Sequence, residues 1–176
     1  MPIDSRIFVF FGANVLLFYL AQLVNNSLSA LGLYLLFLGP MIVMPGLYLR
    51  LRSAFICILL TGLWIDAACP VPFGLFTLTF LGAGTLTGML RHRLRPRQSY
   101  HPYILTHLFN AGCIFILTIS KGLGNYFALE LWIQTIITLT ISSLCLIFLA
   151  PWFFRFQRML IELFQLDPEP EDLPIR

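Results

Sequence analysis

The sequence predicts an all-α polytopic membrane protein, a bundle of about six transmembrane helices with little mass outside the bilayer. Hydrophobic residues make up 59% of the 176-residue chain and charged residues only 11%, whereas charged residues are about 25% of soluble chains. The mean hydropathy is +0.86. The charges gather in short clusters between apolar runs close to the roughly 20 residues that a helix needs to cross a hydrocarbon core about 30 Å thick. Six such runs with tight turns use nearly the whole chain, which leaves no room for a separate soluble enzyme domain.

The first run covers residues 7–24, after a polar start with Asp4 and Arg6. A secretory signal peptide competes for this stretch, with Ser27-Leu28-Ser29 as a faint cleavage site. The run exceeds the usual apolar length of about 7–15 residues and its basic flank is weak, so it reads as a retained helix. The second run, 28–49, carries Pro40 and Pro45, which predict a kink or a broken helix. Arg50 and Arg52 close it. The third run, 53–69, stops where Pro70-Val71-Pro72-Phe73-Gly74 forces a turn. The fourth, 73–90, ends at the basic stretch holding Arg91, Arg93, Arg95 and Arg97. The fifth covers 103–120 and leads into Lys121-Gly122. The sixth covers 126–150, with Pro151 as its stop. Residues 152–165 have helical spacing of Phe153, Phe156, Leu160, Leu163 and Phe164, and read either as an interfacial amphipathic helix or as a projection of the sixth helix. Residues 166–176 form an acidic, proline-containing tail expected to be disordered.

Charge placement predicts orientation. Six crossings put both termini on one side. With that side cytoplasmic, ten of the eleven basic residues lie inside and only Lys121 outside. Basic residues resist translocation, so the split supports this arrangement. The net charge of +3 is then explained by topology and anionic headgroups rather than by nucleic acid.

Polar groups inside the runs are the candidate site residues. An Asp at a helix centre costs about 2.5–3.5 kcal/mol on insertion scales. Asp66 lies about 20 Å along the third run at the helical rise, close to the proline turn on the outer side. Glu130 and Lys121 fall near the same face. Asp66 is expected to face the bundle interior and to pair with Lys121 or with outer-end polar groups; the alternative is an acid that snorkels to the interface. In the fourth run Gly82, Gly84 and Gly88 present small surfaces, with Gly84 and Gly88 in the Gly-x-x-x-Gly spacing that lets helices approach closely. The Thr and Ser residues of the fourth and sixth runs are packing and hydrogen-bonding groups. Cys57, Cys69, Cys113 and Cys145 include no Cys-x-x-Cys pair and read as free, mostly buried thiols. His92, His101 and His107 fit no metal or catalytic constellation. No metal, cofactor or catalytic set is expected.

The stretch Gly62-Leu63-Trp64-Ile65-Asp66-Ala67-Ala68-Cys69-Pro70-Val71-Pro72-Phe73-Gly74-Leu75-Phe76 resembles the MreD family of bacterial rod-shape-determining membrane proteins. The basic stretch Arg91 to Arg97 after the next helix, the chain length and the six-run layout are similar too, while the acidic tail departs from the family. The resemblance implies a non-catalytic subunit of the cell-elongation machinery for peptidoglycan synthesis. It implies association with an MreC-type protein, and through it with the RodA/PBP2 synthase and MreB. Gly62, Asp66, Pro72 and Gly74 would be its motif, shaping the outer turn. The main rival is the substrate-binding S component of an energy-coupling-factor vitamin transporter, which has a similar helix number and would need a polar pocket near the outer face. Against it, the first helix lacks the small-residue surface expected for docking an energising subunit.

Overall fold

A backbone in hydrocarbon has no water to bond, so its N–H and C=O groups must be paired inside the protein, and long apolar runs close into helices. The computed structural model describes residues 5–31, 33–90, 101–121 and 129–164. Among them are α1 (Arg6–Leu28), α2 (Gly39–Tyr48), α3 (Leu51–Ala68), α4 (Leu75–Leu90), α5 (His101–Lys121) and α6 (Leu129–Leu163). The molecule is an all-α membrane bundle. Helices α1, α3, α5 and α6 are long and apolar enough to cross a membrane, and α4 is a shorter apolar helix. The basic segment 91–97, with its predicted Arg91, Arg93, Arg95 and Arg97, lies outside the described residues, as does the tail 166–176.

Packing arranges the helices as a ring around one of their number. Each of α1, α3, α4, α5 and α6 touches its neighbour in that order, α6 closes back on α1, and α2 touches all five. Every residue from Phe37 through Gly46 is accordingly buried. The ring helices bury one stripe and leave the other faces to lipid. On α1 the buried stripe is Ile7, Phe10, Ala13, Asn14, Leu17, Phe18 and Ala21, a three-to-four spacing that marks one helix face. Phe8, Leu16, Leu20 and Leu23 are exposed on the other side.

The second run is not one helix. A short 3₁₀ turn, Ser29–Leu31, follows α1, residues 33–38 have no regular structure, and only Gly39–Tyr48 is helical. The ten helical residues rise only about 15 Å, half of a hydrocarbon core about 30 Å thick. Gly39 is what lets this segment reach the centre. A Cβ at Gly39 would stand 2.1 Å from the Thr106 carbonyl oxygen of α5, a distance no side chain survives.

The sixth helix differs from expectation at its end. It runs through Pro151 to Leu163 without a stop, about 52 Å at the helical rise, well beyond a bilayer core. Proline removes one intrahelical bond, but packing continues on both sides of it. Ala150, Phe153, Phe154, Gln157 and Ile161 are all buried, and Phe154 stacks on Tyr103 of α5 with ring centroids 5.4 Å apart. Arg158 donates to the Tyr48 hydroxyl and lies 5.3 Å from the centre of that ring. The stretch predicted as a possible separate interfacial helix is therefore the continuation of α6.

Candidate functional site

The α3–α4 hairpin is built by the residues singled out from the sequence. At its turn the Val71 N–H donates to the Cys69 carbonyl at 2.9 Å and the Leu75 N–H to the Pro72 carbonyl at 3.2 Å. Gly74 takes φ +96°, a left-handed conformation that glycine adopts without steric cost. Helix α4 then begins with N–H groups that have no partner in their own helix. Asp66 reaches over from α3 to take them. Its Oδ1 accepts the Phe76 N–H at 2.9 Å, and its Oδ2 accepts the Thr77 N–H at 2.9 Å and the Thr77 hydroxyl at 2.5 Å.

This is an N-cap supplied by a neighbouring helix. The local cap position holds Gly74, which has no side chain to offer, and a carboxylate is well placed against the positive end of the helix dipole. Gly62 makes the approach possible, since a Cβ there would meet the Thr77 Cα at 2.7 Å. Gly62, Asp66, Pro72 and Gly74 thus form a single structural unit. Asp66 is 3% exposed, and both of its oxygens are engaged with α4.

The other predicted groupings divide. Gly84 and Gly88 face α3, where added Cβ atoms would meet Ile58 Cδ1 and Leu51 Cδ1, each at 2.7 Å, whereas Gly82 faces open space. Glu130 is exposed on the first turn of α6. Among the described residues α6 touches neither α3 nor α4, so Glu130 and Asp66 do not share a cluster. Lys121 is the last residue of α5 and its side chain lies outside the description. Among the described residues the partners of Asp66 are backbone amides and a hydroxyl.

A second cluster surrounds the broken segment. The side chain of Asn25 pairs with Leu35 in both directions, donating to its carbonyl at 2.8 Å and accepting its N–H at 2.7 Å. Ser142 Oγ on α6 accepts the Leu36 N–H at 3.1 Å. Asn110 Oδ1 on α5 accepts the N–H groups of Leu38 at 2.9 Å and Gly39 at 3.4 Å. Three ring helices therefore supply the bonds that a segment without regular structure cannot make for itself.

One turn into α2 the same logic recurs. Pro45 has no N–H, so the Met41 carbonyl four residues earlier loses its helical partner. Asn14 Nδ2 donates to that carbonyl at 3.1 Å and to Thr61 Oγ1 at 3.2 Å. Gln157 Nε2 donates to Asn14 Oδ1 at 3.3 Å. Asn14, Thr61, Asn110 and Gln157 are all at most 1% exposed, so these bonds are shielded from water and from lipid. Sequence reading passed over Asn14, Asn25 and Asn110, and took Gln157 for part of the polar face of an amphipathic segment, whereas it is buried. The available signal was an amide in the middle of an apolar run, which is costly in hydrocarbon and implies a partner.

The four cysteines are thiols rather than disulfides, with Cys57 and Cys113 buried, and Cys57 Sγ lies 3.8 Å from the Ile7 carbonyl oxygen. No group of three or more His, Cys, Asp and Glu side chains is placed to hold a metal among the described residues. The buried polar groups act as brackets, joining α1, α5 and α6 to the central segment and α3 to α4. Compared with models of known protein families, with curated proteins and with solved structures, the chain matches none.

Proposed function

We propose that this protein is a non-catalytic scaffold subunit of a bacterial cell-elongation machinery, of the MreD type. In this reading it sits in the inner membrane with both termini cytoplasmic. It supports rod shape and peptidoglycan synthesis by helix–helix contacts with an MreC-type protein, and through that partner with RodA/PBP2 and MreB. The observation that carries the reading is the hairpin. The residues through which the sequence resembles that family, Gly62, Asp66, Pro72 and Gly74, cooperate in one bracket that fixes α4 against α3. A rigid hairpin presenting apolar outer faces suits a docking surface within the bilayer. Support also comes from the interior, where the polar side chains hold the protein's own backbone.

The rival transport reading needs a ligand pocket at the outer end. The cavity bordered there by Tyr34, Thr118, Gln134 and Thr135 is about 130 Å³, below the roughly 300–1,000 Å³ of small-molecule sites. The experiment is affinity purification of the full chain from native membranes, combined with its depletion. Copurification of an MreC-type protein and rounding of rod-shaped cells are the expected results. Unchanged shape on depletion, or copurification of a bound vitamin with an energising subunit, would overturn the proposal.

A further inference from the structure

A cleft along α3 and α4 opens at the end of the bundle where α3 begins. Its volume is about 480 Å³. Its floor is made of small residues, Gly46 of α2, Ala54 of α3 and Gly84 and Gly88 of α4, with Phe55 and Met89 among its walls. Behind the cleft the packing is tight: a Cβ at Gly46 would press on Thr87 Cγ2 at 2.7 Å.

Depth and charge select the occupant. From Leu51 to Ile58, both of which line the cleft, the helical rise gives about 10 Å. That is about two-thirds of one leaflet of a core about 30 Å thick. A partner's transmembrane helix would need a groove along the whole span, whereas the upper acyl chains of one lipid need only a leaflet's worth. Arg52 is exposed on α3, three residues before the cleft-lining Phe55 and therefore its neighbour on the helix surface. An arginine fork matches a phosphate diester in charge and geometry.

We infer that this cleft is a binding site for one anionic glycerophospholipid, with an acyl chain in the groove along α3 and α4 and its phosphate on Arg52. The inference goes beyond the scaffold reading and does not require it.

The test uses the purified full chain in mild detergent, equilibrated with an equimolar mixture of phosphatidylglycerol and phosphatidylethanolamine and read by native mass spectrometry. The wild type should retain one phosphatidylglycerol in preference. Arg52→Gln should lower that retention about five-fold, the size of effect expected for one basic residue at an anionic surface, and leave phosphatidylethanolamine unchanged. Thr85→Trp, at an exposed lining position, should displace both lipids, and inorganic phosphate should displace neither. Equal retention of both lipids by the wild type, or no response to Arg52→Gln, would overturn the inference. So would lipid retention that Thr85→Trp leaves intact, or a dimer that this substitution abolishes, since a second copy would then fill the cleft.

Discussion

Replacing Asp66 probes the hairpin most sharply. Asp66→Ala removes one acceptor from the Phe76 N–H and another from the Thr77 N–H and hydroxyl. A hydrogen bond to a charged group contributes about 1.5–3 kcal/mol, and a buried donor left without a partner costs about 1–3 kcal/mol. Loss of an ordinary N-cap costs about 0.5–2 kcal/mol. These ranges describe overlapping contributions, so the two orphaned amides together with the loosened Thr77 hydroxyl set a total of about 3–5 kcal/mol. Asp66→Asn keeps one oxygen and turns an NH₂ group toward the other donors, so about half of that loss is expected. Thr77→Val removes only the hydroxyl and should cost about 1.5 kcal/mol, the low end for a hydrogen bond to a charged group, because Oδ2 keeps the Thr77 N–H. The assay is unfolding of the purified protein by SDS titration in mixed micelles, followed by far-UV circular dichroism. The graded order Ala, then Asn, then Val is the signature of a trans-helix cap. An Asp66→Ala protein within about 0.5 kcal/mol of wild type, the range of an ordinary surface substitution, would refute the reasoning.

Three further outcomes follow from the central segment. Asn14→Ala strips the Met41 carbonyl of its donor and should cost about 2–4 kcal/mol in the same titration, because Thr61 and Gln157 lose a partner as well. Pro45→Ala restores an N–H to the Met41 carbonyl, so the double variant should be about 1 kcal/mol more stable than the two single losses predict; strict additivity would contradict the bracket. Gly39→Ala drives a Cβ to 2.1 Å from the Thr106 carbonyl oxygen and should cost 2 kcal/mol or more, roughly the scale of overpacking. Gly82→Ala, with open space around it, should stay within about 0.5 kcal/mol of wild type or gain slightly from helix propensity.

Much of this architecture could be read from the chain because in hydrocarbon the constraints are few and strong. Apolar runs between arginine clusters gave the class, and Pro40 and Pro45 warned that the second run would be kinked or broken. The turn after Asp66 could be read too, since two prolines and a glycine leave few alternatives. The partner of Asp66 was harder. Charge arithmetic pointed to Lys121 as one candidate, but the amides of Phe76 and Thr77 lie only ten and eleven residues ahead, and a hairpin brings them back without a long side chain. Asn110 and Ser142 were out of reach for a different reason. Their bonds to Leu38 and Leu36 span 72 and 106 residues, and nothing local in either helix says which unpaired backbone it will meet. Pro151 misled in the opposite direction, because a stop read from local rules yields to packing that continues through Phe153, Phe154 and Gln157.

The central claim is that α2 is enclosed by a ring of five helices. Met41, Ile42, Val43 and Met44 take in a full helical turn, and each is at most 1% exposed. A helix that belonged to the ring would show at least one of them to lipid. The direct measurement places single cysteines at these four positions and at Phe148, which is 81% exposed, in a background without the native thiols, and labels them in vesicles with a lipid-soluble maleimide. The enclosed arrangement predicts labelling at position 148 and none at 41–44 in the folded protein. Labelling at any of those four at the rate seen for position 148 would contradict it.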